Sequence, residues 1–274
     1  MWHFVYKPIG EVAKVIHAIL LVKITKEEMQ VEKILPNMSN ALIIQYGDPT
    51  YYSFDGIIFH QFPRYYFALA AASKKSIFMK NSGNSQSMMV IFKPGIFYST
   101  FGFPISECNQ NLFPEPEVIL GIDGLQFCRR ITDPDLDDNT RLQLCANFFS
   151  RFANLPGTSL LSLQAVQKIV EKRGFVSIPE VTNYLNATKR TLNRRFLAEQ
   201  GISPYTYARI VRCHAALDMI RSQRFGWQDV VHHFQYFDQS HFIRDFKELT
   251  GLSPGEYIKN DFQLERFIRE SGNF

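Results

Sequence analysis

Arg195-Phe196-Leu197-Ala198-Glu199-Gln200-Gly201-Ile202-Ser203-Pro204-Tyr205-Thr206-Tyr207 returns fifty residues later as Asp245-Phe246-Lys247-Glu248-Leu249-Thr250-Gly251-Leu252-Ser253-Pro254-Gly255-Glu256-Tyr257. The Phe, the Gly, the Ser-Pro and the Tyr recur in register. Ahead of each copy lie a short helical stretch, a turn and a second helical stretch. One chain therefore reads as two helix-turn-helix units, an arrangement suited to laying a helix into the major groove of duplex DNA.

The first unit comprises Val181 to Leu185, a turn at Asn186-Ala187, and Thr188 to Gln200. Asn186 suits the turn because a short polar side chain tolerates the left-handed conformation. Ser177-Ile178-Pro179-Glu180 reads as a capping-box start, and Thr188 can cap the second helix. Burying Leu192 and Phe196 turns Lys189, Arg190, Asn193 and Arg194 outward, where Arg matches guanine edges and Asn matches adenine. The second unit runs from Asp229 through Gln235-Tyr236-Phe237 to a helix capped by Asp238. Burying Phe242 and Phe246 turns Gln239, Ser240, Ile243 and Arg244 outward, with Ile243 suited to a thymine methyl. Asp245 and Glu248 make this helix less basic, so the first unit is expected to dominate affinity.

Charge follows the same division. The 274 residues carry a formal charge of +4, and residues 1–158 hold 14 basic and 14 acidic groups. Between Lys189 and Arg224 there are 8 basic and 2 acidic residues. A neutral half joined to a half with a basic segment fits a sensor or scaffold attached to a polyanion binder.

Residues 1–153 are expected to form a β-rich sandwich or barrel-like domain with a few helices. Ala18–Ile24, Ile34–Tyr46, Tyr51–Phe59, Tyr65–Ala70 and Met88–Phe92 are rich in β-branched and aromatic residues and are separated by turn formers. Ile43 to Phe59 has aromatic residues on both alternations, which leaves the facing of its strands open. Asp138 to Phe152 reads helical, with Leu142, Cys145, Phe149 and Phe152 on a stripe suited to core packing or a dimer contact. Residues 154–159, with Pro156-Gly157 at their centre, read as a linker. Residues 160–274 read as helical throughout, giving an α+β chain overall. Its helical face Leu163, Val166, Ile169, Val170 stops at Gly174, and Ser203-Pro204 opens a longer helix.

From Ser177 to Tyr257 the sequence resembles the C-terminal domain of AraC/XylS-type bacterial transcription regulators. Leu192-x-Arg194-x-Phe196 with Gly201-Ile202-Ser203-Pro204 is similar to the first unit of that family. Asp238-Gln239-Ser240-His241-Phe242-x-Arg244-x-Phe246 and Thr250-Gly251-Leu252-Ser253-Pro254-x-x-Tyr257 are similar to its signature segment. The resemblance implies a seven-helix domain in which a linker helix, Pro204 to Arg221, sets two readers on adjacent major grooves. It also implies an activator that works with RNA polymerase. One departure is Gln235-Tyr236, where the family has Gly-Phe. Ile34-Leu35-Pro36-Asn37-Met38-Ser39-Asn40-Ala41-Leu42-Ile43-Ile44 and Phe92-Lys93-Pro94-Gly95-Ile96-Phe97-Tyr98 resemble an accessory domain joined to such regulators, a β-rich sensor or assembly module with no fixed ligand.

Other function classes find little support. No Gly-rich phosphate loop, His-Glu-x-x-His or G-x-S-x-G element occurs, so neither catalysis nor a cofactor or metal is expected. His232 and His233 are adjacent and would point about 100° apart on a helix. An RNA binder would expose aromatic platforms, whereas the aromatic residues here read as core and pocket lining. A pocket lined by Phe54, Phe59, Tyr65, Tyr66, Phe67 and Phe92 would suit a hydrophobic or aromatic small molecule. A domain that only mediates homodimer assembly is the equal alternative. Cys108, Cys128, Cys145 and Cys213 are widely spaced, as expected of buried thiols in the cytoplasm. No signal peptide or membrane span is expected, since the apolar run Val15 to Ile24 is short and broken by His17 and Lys23.

Overall fold

The computed structural model describes residues 2–25, 31–69, 76–109, 112–153, 160–221, 227–233, 236, 238–260, 262, 264 and 266–268. Two antiparallel sheets build the N-terminal domain. The first orders β1 (Trp2–Tyr6), β2 (Ile16–Ile24), β9 (Ser85–Phe92), β4 (Ala41–Gln45) and β7 (Tyr65–Ala68). The second orders β3 (Glu32–Ile34), β8 (Ile77–Asn81), β5 (Thr50–Ser53) and β6 (His60–Gln61).

The larger sheet is covered on both faces, and side-chain alternation decides what each face meets. Ala18, Leu20, Val22, Ala41, Ile43, Tyr66 and Ile91 face the smaller sheet, where Ile34, Tyr52, Ile77 and Met79 pack against them. Ile19, Leu21, Leu42, Ile44, Phe67, Val90 and Phe92 face the other way. There they meet α1 (Phe97–Phe101), α2 (Pro116–Ile131) and α3 (Asp138–Ser150) through Phe97, Phe127, Leu142, Cys145 and Phe149. Burial on both faces explains the unbroken apolar sequence of β4. It also assigns the stripe on α3 to the core. Burial pushes the Cys108 thiol up to about 11 and that of Cys128 up to about 12, and raises Cys145 further.

Several expectations are corrected. The stretch from Tyr51 to Phe59 is strand only as far as Ser53. Beyond it the Asp55 carboxylate accepts hydrogen bonds from the Ile57 and Ile58 amides and the Ser53 hydroxyl, which curls the chain away from the sheet. The run from Ile34 to Tyr46 divides into β3 and β4, with Asn37 Oδ1 accepting from the Ser39 amide in the interruption. Strands β1 and β8 and helix α2 were not legible, because their residues lack a clean period. The linker at 154–159 lies outside the described residues.

The C-terminal domain contains, among the described residues, α4 (Leu160–Glu171), α5 (Ile178–Tyr184), α6 (Lys189–Gln200), α7 (Pro204–Arg221), α8 (Trp227–His233), α9 (Gln239–Thr250) and α10 (Pro254–Lys259). Val166, Ile169, Leu192, Phe196, Ile210, Leu217, Phe242, Phe246 and Tyr257 form its core. Gly174 ends the first turn region at φ +77°, and a Cβ there would lie 2.3 Å from the Ala208 carbonyl. Only glycine lets the loop after α4 lie against α7.

The two domains exchange side chains. Leu35 and Met38, from the loop between β3 and β4, are buried in the helical core, and His214 Nε2 lies 2.6 Å from the Pro36 carbonyl oxygen. In return, Leu264 and Phe267 from the C-terminal end are buried between the two sheets. Near α6, a Cβ on Gly95 would meet Leu163 and Val166 of α4 at 3.1–3.2 Å, so this loop sits directly on the helical domain.

Candidate DNA-reading surface

In the first unit, local chemistry fixes both helices before packing does. The Ser177 hydroxyl accepts from the Glu180 amide at 3.3 Å, while the Glu180 carboxylate accepts from the Ser177 amide at 2.7 Å. These paired bonds satisfy free donors at the start of α5 and hold the Glu180 carboxyl below its ordinary range. Asn186 occupies the left-handed region at φ 48°. The Thr188 hydroxyl then accepts from the Thr191 amide at 3.1 Å and opens α6. Leu192 and Phe196 are fully buried. Lys189, Arg190 and Arg194 are exposed, and Asn193 is half-buried. Arg195 is exposed as well, 4.0 Å from the Glu199 carboxylate.

The second unit repeats this construction. Asp238 accepts from the His241 amide at 2.6 Å and opens α9. Phe242, Phe246 and Leu249 are buried. Gln239, Ser240 and Arg244 are exposed, while Ile243 is half-buried. Ser253 and Glu256 form a second capping box at α10. Gln235 lies outside the described residues, but Tyr236 is buried and its hydroxyl donates to Asp245 Oδ2 at 3.1 Å. A phenylalanine could not make that bond.

Asp245 and Glu248 turn out to be partners of α7. Arg209 Nε bonds Asp245 Oδ1, and its Nη2 donates to Glu248 Oε2 at 2.6 Å and to the Asp245 carbonyl oxygen at 3.3 Å. Arg212 lies over the Tyr236 ring at 5.1 Å, with Nη2 3.9 Å from Asp245 Oδ2. Burial alone would lower the Arg209 pKa, but hydrogen bonds with Glu248 and Asp245 outweigh it and raise it. The hydrogen bond from Arg209 holds the Glu248 carboxyl below its usual range. Both acids of α9 are thereby compensated beside the reading face. Neither Arg209 nor Arg212 was singled out in the sequence. The available signal was spacing: two bases three apart on α7 and two acids three apart on α9.

The aromatic residues expected to line a pocket lie elsewhere. Phe67 and Phe92 are buried between the larger sheet and its helices, and Tyr65 bonds Thr132 Oγ1 at 3.0 Å on that same side. Phe54 is exposed, and Phe59 lies under Lys80 Nζ at 4.1 Å. Only Tyr66, on the opposite alternation of β7, lines the cavity between the two sheets. That cavity is bounded by residues of both sheets, Phe113 and the C-terminal Ile268.

The model of a helix-turn-helix domain family matches residues 181–260, and a family described as Domain of unknown function DUF6597 matches residues 5–114. The uncharacterized HTH-type transcriptional regulator YtdP of Bacillus subtilis strain 168 is 29% identical over 82 residues, covering 30% of this chain and 11% of YtdP. The chain thus matches about a tenth of that relative's length. Among solved structures, ToxT from Vibrio cholerae O395 aligns at 12% identity over 87% of this chain and 95% of its own, with a TM-score of 0.46. The AraC-like transcriptional activator CuxR aligns at 10% identity over 99% and 90%, with a TM-score of 0.21. Two capped reading helices joined by one linking helix make the matched C-terminal region a helix-turn-helix domain with two such units, preceded here by a β-rich domain.

Proposed function

We propose that the chain is a sequence-specific regulator of transcription that reads two successive major grooves of double-stranded DNA. The observation that carries this is the pair of reading helices, each capped and buried alike, joined by one helix. The 18 residues of α7 span about 27 Å, a distance comparable to the roughly 34 Å between equivalent grooves. Arg190, Asn193 and Arg194, with Lys189 near the phosphates, serve the first groove. Gln239, Ser240 and Arg244 serve the second, with Ile243 against a thymine methyl. Exposed Arg195 joins the phosphate contacts, which make affinity salt-dependent. The N-terminal domain senses a small molecule or mediates dimerisation, and the regulator works in the cytoplasm as an activator with RNA polymerase.

Selection of bound duplexes from a random library by the full-length protein tests the reading. The expected result is two short motifs about one helical turn apart. Arg194→Ala should cost about 1–3 kcal/mol on the selected site and relax one base position. Equal losses on every sequence would reduce Arg194 to a phosphate contact, and failure to enrich any motif would overturn sequence-specific reading.

A further inference from the structure

The space between the two sheets has two lobes with a common wall. One lobe, about 90 Å³, is lined by Phe62, Tyr66, Phe113, aliphatic residues and Met79 and Met89, with Asn37 and Ser39 at its edge toward the loop between β3 and β4. Phe62 stacks on Tyr66 with centroids 4.8 Å apart, and Phe113 meets both edge-on. The second lobe, about 50 Å³, shares Ile43, Tyr66, Met79, Met89 and Ile268 with the first and adds Asn81 and Ser85.

Asn81 and Ser85 are 3% and 5% exposed, and Asn81 Oδ1 and Ser85 Oγ have no hydrogen-bond partner among the described residues. Two buried polar atoms without partners carry a desolvation cost that a ligand's polar group would remove. None of the described residues lining either lobe bears a charge at neutral pH. A carboxylate or ammonium would therefore enter without a counter-ion, which is heavily disfavoured. The size also constrains the occupant, since an apolar space of roughly 150 Å³ accepts one benzene ring.

The cavity wall leads back to the DNA reader. Leu264 and Ile268 line it, and Phe267 beside them packs against His3 at 4.1 Å. Two residues before Leu264 in the chain, Phe262 begins a separate run of rings in contact: Phe262 to Tyr257 at 5.8 Å, Tyr257 to Phe246 at 5.8 Å, and Phe246 to Phe242 at 5.9 Å on α9.

We propose that this cavity binds a neutral, mainly apolar aromatic molecule with one hydrogen-bonding group seated on Asn81 and Ser85, and that the wall at Leu264 and Ile268 transmits its occupancy to α9. The inference rests on reading the N-terminal domain as a sensor attached to a DNA reader. A filled cavity repositions the C-terminal wall, and the packed rings carry the change to the second reading helix.

Calorimetry on the full-length protein with 4-ethylphenol and 4-ethylbenzoate tests the site. The phenol should bind saturably at concentrations up to about millimolar. The benzoate should bind at least about tenfold more weakly. Ser85→Ala and Asn81→Leu should each weaken phenol binding about fivefold or more. Saturating phenol should shift affinity for the selected DNA at least about threefold, within the usual range of coupling. Phe262→Leu, in the run of rings and outside the lining of either lobe, should keep the binding and lose that shift. Absence of saturable binding, equal binding of the benzoate, or undiminished binding in both variants overturns the site. Binding without a DNA effect overturns the transmission. Enrichment of a DNA motif by a protein that ignores the phenol overturns the sensor while leaving the DNA reading intact.

Discussion

The two reading units are built alike and held differently. Helix α6 is steadied by neutral bonds to both domains: the buried Gln200 amide donates to Ser162 Oγ on α4 at 3.0 Å and to the Gly95 carbonyl oxygen of the N-terminal domain at 3.4 Å. Helix α9 is steadied mainly from within its own domain, by Arg209 and Arg212 on α7, with one bond from the Ser76 hydroxyl to the Thr250 carbonyl oxygen at 2.9 Å at its C-terminal end. The contrast shows how a repeated motif can diverge in function without changing its fold. Neutral hydrogen bonds leave the basic face of α6 free to attract phosphates. An ion-pair network compensates the acids of α9 and ties it to α7, so under the proposed function that unit is expected to contribute more to selectivity than to charge.

Breaking the network should produce the largest effect. Asp245 has a side chain only 10% exposed, and Arg209→Met would leave its carboxylate with only the Tyr236 hydroxyl and the more distant Arg212, at a cost of up to about 3 kcal/mol. Denaturant unfolding would measure that loss. On DNA, the same variant should blur the second motif and spare the first. Equal damage to both motifs would mean that the units are one rigid body rather than two separately held readers.

Gln200→Ala tests the other support and should cost about 1 kcal/mol. Its effect on DNA should fall on the first motif, mirroring the Arg209 variant. A variant that unfolds normally but loses the second motif instead would reverse the assignment.

The smallest effect concerns acidity. The Glu248 pKa is lowered in the folded protein from 4.5. A carboxyl with a depressed folded value lends stability above its unfolded value, and that stability fades as pH falls through the folded one. Thermal melts should therefore separate wild type from Glu248→Gln at pH 6 to 7 and converge below about pH 4. A gap that persists into acid would show that Glu248 acts by packing rather than by charge.

Much of the helical domain was legible because its signals are local. Ser177, Thr188, Asp238 and Gly174 each satisfy or end a backbone within a few residues, and Leu192, Phe196, Phe242 and Phe246 sit at helical spacing. The β-rich half was less so. Burial of the larger sheet on both faces erased the polar alternation that would have told Tyr65 and Phe67 from Tyr66, so residues of both alternations were grouped into one pocket. The contacts of Arg209 with Asp245 and Glu248 depend on how α7 crosses α9, and no single segment encodes that crossing.

Leu35 and Met38 sit in a core that belongs mainly to the helical domain, while Leu264 and Phe267 sit in one that belongs mainly to the sheets. For anyone grafting this DNA reader onto a different sensor, the covalent joint is therefore a poor place to cut. The transplanted part must bring the loop carrying Leu35 and Met38, or a substitute of equal volume. The donor must in turn accommodate the C-terminal segment. Modularity in this chain is a property of crossed segments rather than of contiguous sequence.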